Sequence, residues 1–226
     1  MAYYPTILTA VAALVLIPTA VWLEKNEPSL WHERLALPLF TEEPNRHTPR
    51  FPLATYLPPS ITESITVGGP NTILAISNTT HIPTGVTVTL AEGTTLAFHE
   101  HAKLIIEGTL HAEGTPTERI QFVSNETHPE NKTWGGLQFS STANGTLNYT
   151  ELQYGNPAIS CLGESNVEIT NSILRFGNVG LYSESASCAL RNSSIVGTFR
   201  SVIARTNTPT LINNHFIASR PPLILE

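Results

Sequence analysis

The chain has 226 residues, 41% hydrophobic and 13% charged, with a net charge of −6; its charged share is about half that of an ordinary soluble domain. Its 12 Lys and Arg are spread thinly with no basic stripe, which argues against nucleic acid as a partner. All 18 acidic residues are Glu and none is Asp, so Asp triads, Asp-rich calcium loops and aspartyl nucleophiles are excluded.

Residues 6–23 (TILTAVAALVLIPTAVWL) run for 18 residues without a charge, the lower limit for a membrane-spanning helix. Tyr3, Tyr4 and Trp22 stand where interfacial aromatics belong. The competing reading is a cleaved signal peptide. Against it, the leading MAYYP carries no Lys or Arg, and Pro18 occupies a position that wants a small residue for cleavage after Ala20. A third reading is a buried helix. We take residues 1–23 as a transmembrane anchor; anchor or signal, either sends the rest of the chain out of the cytoplasm.

Residues 24–60 hold prolines at 28, 38, 44, 49, 52, 58 and 59, a density that prevents a long helix or a central strand. They read as a semi-rigid spacer. Trp31, Leu35 and Phe40 are placed to cap the open end of the domain that follows.

From Ile61 to Glu226 the pattern becomes short apolar alternations split by Gly, Pro and Asn, with no sustained helical period. Ile73–Ile76, Val86–Leu90, Thr95–Phe98, Lys103–Ile106 and Ile120–Val123 read as strands, with Gly85, Gly93, Gly108 and Gly114 at turns. Beyond Trp134 the chain repeats. Leu137, Ile159, Leu181 and Ile203 lie 22 apart, and Ile224 follows one residue early. A second track, Tyr154-Gly-Asn and Phe176-Gly-Asn, keeps the same spacing, while Thr150, Asn171, Asn192 and Asn213 lie 21 apart. A fixed period of about 20 to 25 residues with one apolar patch per period is a solenoid signature, and the length from 61 to 226 allows about seven rungs. The five apolar positions are expected to stack as one interior ladder. Tyr154, Phe176 and Phe199 are expected to form a second, and the asparagines to sit at a left-handed corner.

Val86–Phe98 (VTVTLAEGTTLAF), Leu104–Thr115 (LIIEGTLHAEGT), Ile120–Ser124 (IQFVS) and Trp134–Phe139 (WGGLQF) resemble the opening of many right-handed parallel β-helix proteins, the pectate-lyase-like solenoids of bacterial and archaeal surfaces. The resemblance covers roughly residues 61–226 and implies an all-β, right-handed parallel β-helix in which Asn171, Asn192 and Asn213 form the turn asparagine ladder. It is nearly silent on activity. Pectate lyases of this fold use an acidic calcium cluster with an arginine base, and the hydrolases use Asp groups. With no Asp in the chain, neither set carries over.

Four constellations remain. Glu151 with Glu168 or Glu184, near Arg175 and Arg191, is the best carboxylate pair for acid–base chemistry on a sugar, against the plainer reading of solvated charges on a stalk. His99 and His101 alternate along one segment with His111 half a rung later, a weak metal candidate against an exposed polar turn. Cys161 and Cys188, 27 apart, are a disulfide candidate on adjacent rungs, against two small buried residues. Asn78, Asn125, Asn131, Asn144, Asn148 and Asn192 match the N-glycosylation pattern, with Asn125, Asn131 and Asn144 flanked by loop-like neighbours.

These readings converge on a non-catalytic, membrane-anchored, extracytoplasmic column without a cofactor, acting as a surface stalk, filament or envelope subunit. The alternatives are an accessory subunit of a membrane assembly and a protein that binds or processes carbohydrate. The expected partners are the membrane through residues 6–23, glycans, and a protein at the last rung. That rung, Pro222–Glu226, shows no cap and offers strand edges.

Overall fold

The computed structural model of the chain describes residues 49–129, 134–185, 187–218 and 223–225. The apolar segment 6–23, the candidate cap residues Trp31, Leu35 and Phe40, and Asn131 lie outside them. The described residues form a parallel β-solenoid of about seven turns, all strand and corner, with no helix.

Each turn visits three sheets in the same order. The first sheet runs in seven strands from Ile65–Gly68 to Thr210–Ile212. The second has eight, from Thr55–Tyr56 to His215–Ala218, and the third has seven, from Thr79–Ile82 to Leu223–Leu225. One representative turn is Asn144–Asn148, Thr150–Gln153 and Ile159–Cys161. Every pairing between these strands is parallel.

Alternation sets the interior. In Thr87–Ala91 the residues Val88 and Leu90 point inward and are buried, while Thr87 and Thr89 are half-exposed. Stacked turn on turn, Leu90, Ala112, Leu147, Ile169 and Leu190 form one buried row on the first sheet. Leu74, Leu96, Phe122, Leu152, Leu174 and Ile195 form another on the second. No single turn could bury these faces alone, so stability comes from neighbour-to-neighbour stacking at about 4.8 Å.

On the third sheet the interior row is Leu104, Leu137, Ile159, Leu181 and Val202, and Leu223 is next in register. This corrects the expected ladder at its last two members. Ile203 pairs with Tyr182, and Ile224 pairs with Ile203, one residue further along each strand. The physical reason is a shortened turn: the spacing falls from 22 to 21 after Leu181, and a one-residue slip moves a side chain to the other face.

The corner between the first and second sheets explains the 21-residue track. Tyr149, Asn171, Asn192 and Asn213 occupy it with φ of 49°, 51°, 49° and 52°. Asn suits this left-handed region because its short amide bonds locally. Asn171 Nδ2 donates to Asn148 Oδ1 at 2.9 Å, and Asn213 Nδ2 donates to Asn192 Oδ1 at 2.8 Å. Tyr149, not Thr150, is the first member. Thr150 belongs to the next position, where its hydroxyl lies 2.9 Å from that of Ser172, and where the Ser172 and Ser193 backbones donate to Ser193 and Asn214 side chains at 3.0 Å.

The aromatic track ends early. Tyr154 and Phe176 hold the corner after the second sheet, both at φ 62°, with ring centroids 5.4 Å apart. Gly197 takes the next place at φ 67°, under the Phe176 ring. Phe199 is therefore not a rung of this ladder, and Phe176 is 37% exposed rather than interior.

The solenoid also begins before residue 61. Thr55–Tyr56 extends the second sheet beside Leu74 and Ala75, and Ser60 bridges His81 on the third. Residues 49–56 form a strap that starts beside the third turn, where Pro49 bridges Glu126, and climbs to the first.

Candidate functional site

The strap is held by a polar cluster. Arg50 N–H donates to the Asn125 carbonyl, and Phe51 N–H donates to Asn125 Oδ1 at 2.8 Å. The second contact fixes the amide, so Asn125 Nδ2 is the group 3.0 Å from His99 Nε2, which must accept. The neutral ring proton is thus placed on Nδ1, 3.8 Å from Glu126 Oε1. Tyr56 stacks on His99 at 5.9 Å with its hydroxyl 3.1 Å from the same Nε2. Glu126 is buried, and among the described residues its Oε2 has no hydrogen-bond partner. Beneath, Trp134 stacks on Phe98 at 4.1 Å and donates Nε1–H to the Gln153 carbonyl at 2.6 Å.

This geometry overturns two expectations. Asn125 is fully buried and bonded on both sides of its amide, so no glycan fits there. The histidines do not converge either. The strand ends at Phe98, so the alternation that would have aligned His99 with His101 stops. His101 instead sits in a turn at φ 62°, exposed beside Glu100, and His111 belongs to the first sheet. Among the described residues no group of three His, Cys, Asp or Glu side chains is placed to hold a metal ion. Of the other sequons, Asn78, Asn144 and Asn192 are exposed, and Asn148 is half-buried and accepts bonds from Thr170 and Asn171.

The glutamates are separated as well. Glu151 projects from the second sheet, Glu168 from the first, and Glu184 from the corner after the third. Each takes a partner one turn on or beside it: Glu151 pairs with Arg175 and accepts from Gln153 at 2.7 Å, and Glu168 lies 3.7 Å from Arg191. Tyr182 donates to Glu184 at 2.6 Å; that bond to a carboxylate, with burial, raises the Tyr182 pKa above its ordinary value. No two of these carboxylates face one bond, as paired glycosidic chemistry requires.

Cys161 and Cys188 are joined by a disulfide with a Cα separation of 6.2 Å, buried within the column. It ties the fourth turn to the sixth across one intervening turn.

The last turn differs from all those beneath it. In the sixth turn the interior residues Leu190, Ile195 and Val202 are fully buried. Their successors Leu211 and Phe216 are only partly covered, and the adjoining Ile212 and Ile217 are 49% and 51% exposed. The strands of this turn pair on one side only within the described residues, leaving three parallel edges. Sequence reasoning marked this end at residues 222–226; it missed Leu211, Ile212 and Phe216, whose one-turn offsets from Leu190, Arg191 and Ile195 carry the signal.

Comparison of the chain with family models, with curated proteins and with solved structures finds no match.

Proposed function

We propose that this protein is a structural column of the right-handed, pectate-lyase-like type, anchored to a membrane through residues 6–23 and displayed outside the cytoplasm, where it assembles with a protein partner. The observation that carries the reading is the contrast between an interior sealed from the second turn through the sixth and an open seventh. Within the described residues Leu211 and Phe216 are only partly covered and three strand edges are unpaired, an arrangement proteins usually cover. The buried disulfide supports an oxidising compartment. The outward ion pairs run from turn to turn and support a scaffold rather than a reaction centre.

A second reading, carbohydrate contact without hydrolysis, is favoured by the Phe176 ring, 37% exposed, tilted against Tyr154 and beside Arg175, since an exposed aromatic face suits a sugar ring.

Cross-linking on intact cells followed by purification from membranes tests the first reading. The expected product is a membrane-derived conjugate whose bridge maps to the seventh turn. Recovery of the protein as a soluble cytoplasmic monomer would overturn it.

A further inference from the structure

The strap over residues 49–56 is fastened at two places, and both converge on one histidine. At its third-turn end Phe51 N–H donates to Asn125 Oδ1 at 2.8 Å, and Asn125 Nδ2 donates to His99 Nε2 at 3.0 Å. At its first-turn end the Tyr56 hydroxyl lies 3.1 Å from the same Nε2, and the two rings stack. None of residues 49–56 is fully buried, so the strap belongs to the part of the molecule that opens most readily.

The fastening requires a neutral ring. Histidine is the side chain that changes charge between about pH 5 and 8, and a proton on Nε2 turns that acceptor into a donor. The two contacts on Nε2 respond differently. The Tyr56 hydroxyl can donate or accept, so it turns and stays bonded. The Asn125 amide, fully buried, cannot serve both of its neighbours. Held as it is, its Nδ2 faces another donor. Turned over, it presents Oδ1 to the ring and Nδ2 to the Phe51 N–H, again donor to donor. A charge-assisted bond from the ring to Oδ1 is about twice as strong as a neutral one, so the amide turns and the loss falls on Phe51.

The surrounding charges leave the sign intact. On the segment after the third-turn strand, buried Glu126 faces Nδ1 at 3.8 Å whether or not the ring is charged, and His128 is exposed. On the turn that carries His99, Glu100 and His101 lie 3.5 Å apart. On the strap, beside Tyr56, Arg50 lies over the Phe51 ring at 5.0 Å and is positive like a protonated histidine. The unfastened strap therefore goes with one more bound proton than the fastened one, so fastening weakens as pH falls.

We propose that the strap is an acid-released fastening: protonation of His99 turns the Asn125 amide and frees the Phe51 end, while the Tyr56 end stays bound. Release moves the point where the preceding chain joins the column from the third turn toward the first. It gives that chain up to about 20 Å more reach through residues 49–54. The device is independent of what covers the last turn.

Hydrogen exchange of the full chain in neutral detergent, at pH 8 and pH 5, tests it, with each amide's protection taken relative to the unstructured rate at that pH. The wild-type Phe51 amide is expected to lose protection roughly tenfold at pH 5, the worth of one hydrogen bond. Leu57, whose N–H donates to the Ala75 carbonyl at 2.8 Å, is expected to keep its own. His99→Gln cannot take a charge, and the carboxylate of Asn125→Asp accepts from both neighbours. Each variant is expected to hold Phe51 equally at the two pH values. Leu57 protection equal to wild type shows that a variant has folded, and the contrast of Phe51 with Leu57 in the wild type stands without either variant. A Phe51 amide equally protected at both pH values would overturn the inference, as would one unprotected already at pH 8. So would an acid loss shared by Leu57, which is general loosening, or one that persists in either folded variant.

Discussion

Asparagine plays two unlike roles in this chain, and local geometry separates them. Asn171, Asn192 and Asn213 hold a left-handed corner, where an Ala would cost about 1 kcal/mol in backbone strain and Gly would cost little. Asn192→Ala is therefore expected to lower unfolding stability by about 1 kcal/mol, and Asn192→Gly by a few tenths, in urea titrations. Equal losses for both would remove backbone conformation as the cause. Asn125 instead clamps the strap, donating to His99 and accepting from Phe51. Asn125→Leu leaves those buried partners unsatisfied and is expected to cost about 1–3 kcal/mol, with faster proteolysis near Phe51. In a glycosylating host, peptide mapping is expected to find Asn125 bare while exposed Asn78 or Asn144 carries glycan. A glycan on Asn125 of the folded protein would contradict the clamp.

At the scale of the turn, the interior behaves as a set of volumes exchanged between neighbours. Gly145 sits in an inward position of the first sheet, between Leu110 and Val167, and a Cβ there would lie 2.4 Å from the Phe139 ring. Phe139 fills the space that its neighbours' side chains fill elsewhere. Gly145→Ala is expected to destabilise by about 1–3 kcal/mol through overpacking, and Phe139→Leu in the same chain to recover part of it. An additive double variant would break this coupling. The disulfide closes a loop of about one turn and a quarter. Its removal by Cys161→Ala/Cys188→Ala is expected to cost about 3–4 kcal/mol by the chain-entropy estimate, read as a lower urea midpoint. An unchanged midpoint would mean the bridge is absent in solution.

Much of the turn was legible from spacing because one residue per turn recurs at a fixed corner. Leu137, Ile159 and Leu181 announce the third sheet, and the strands at Ile73–Ile76, Thr95–Phe98 and Lys103–Ile106 fall where alternation sets them. Ile203 misled because it is apolar and buried while standing one residue past the interior position held by Val202. The strap was hidden for a different reason. Its prolines at 49, 52, 58 and 59 read as a spacer, yet a two-residue edge strand needs few backbone donors, so Thr55–Tyr56 tolerates them. The polar cluster was illegible altogether, since His99, Asn125 and Tyr56 come from segments with no shared period.

Taken as a whole, the solenoid has two unlike ends: Thr55–Tyr56 and Ser60 lie beside its first turn, and among the described residues no strand lies beyond its last. Seven turns at about 4.8 Å make a stack of roughly 34 Å, sealed from its second turn to its sixth and open, among the described residues, at its last. Nothing along the sides gathers a pair of carboxylates or a metal site among the described residues. Under the proposed function the working parts are the open last turn and the anchor, and each depends on where the column stands. A short epitope inserted at the exposed Gly163–Glu164 corner measures that most directly, by antibody labelling of intact cells before and after permeabilisation. External display expects full labelling on intact cells, with no gain on permeabilising them. Labelling that appears only after permeabilisation would contradict it.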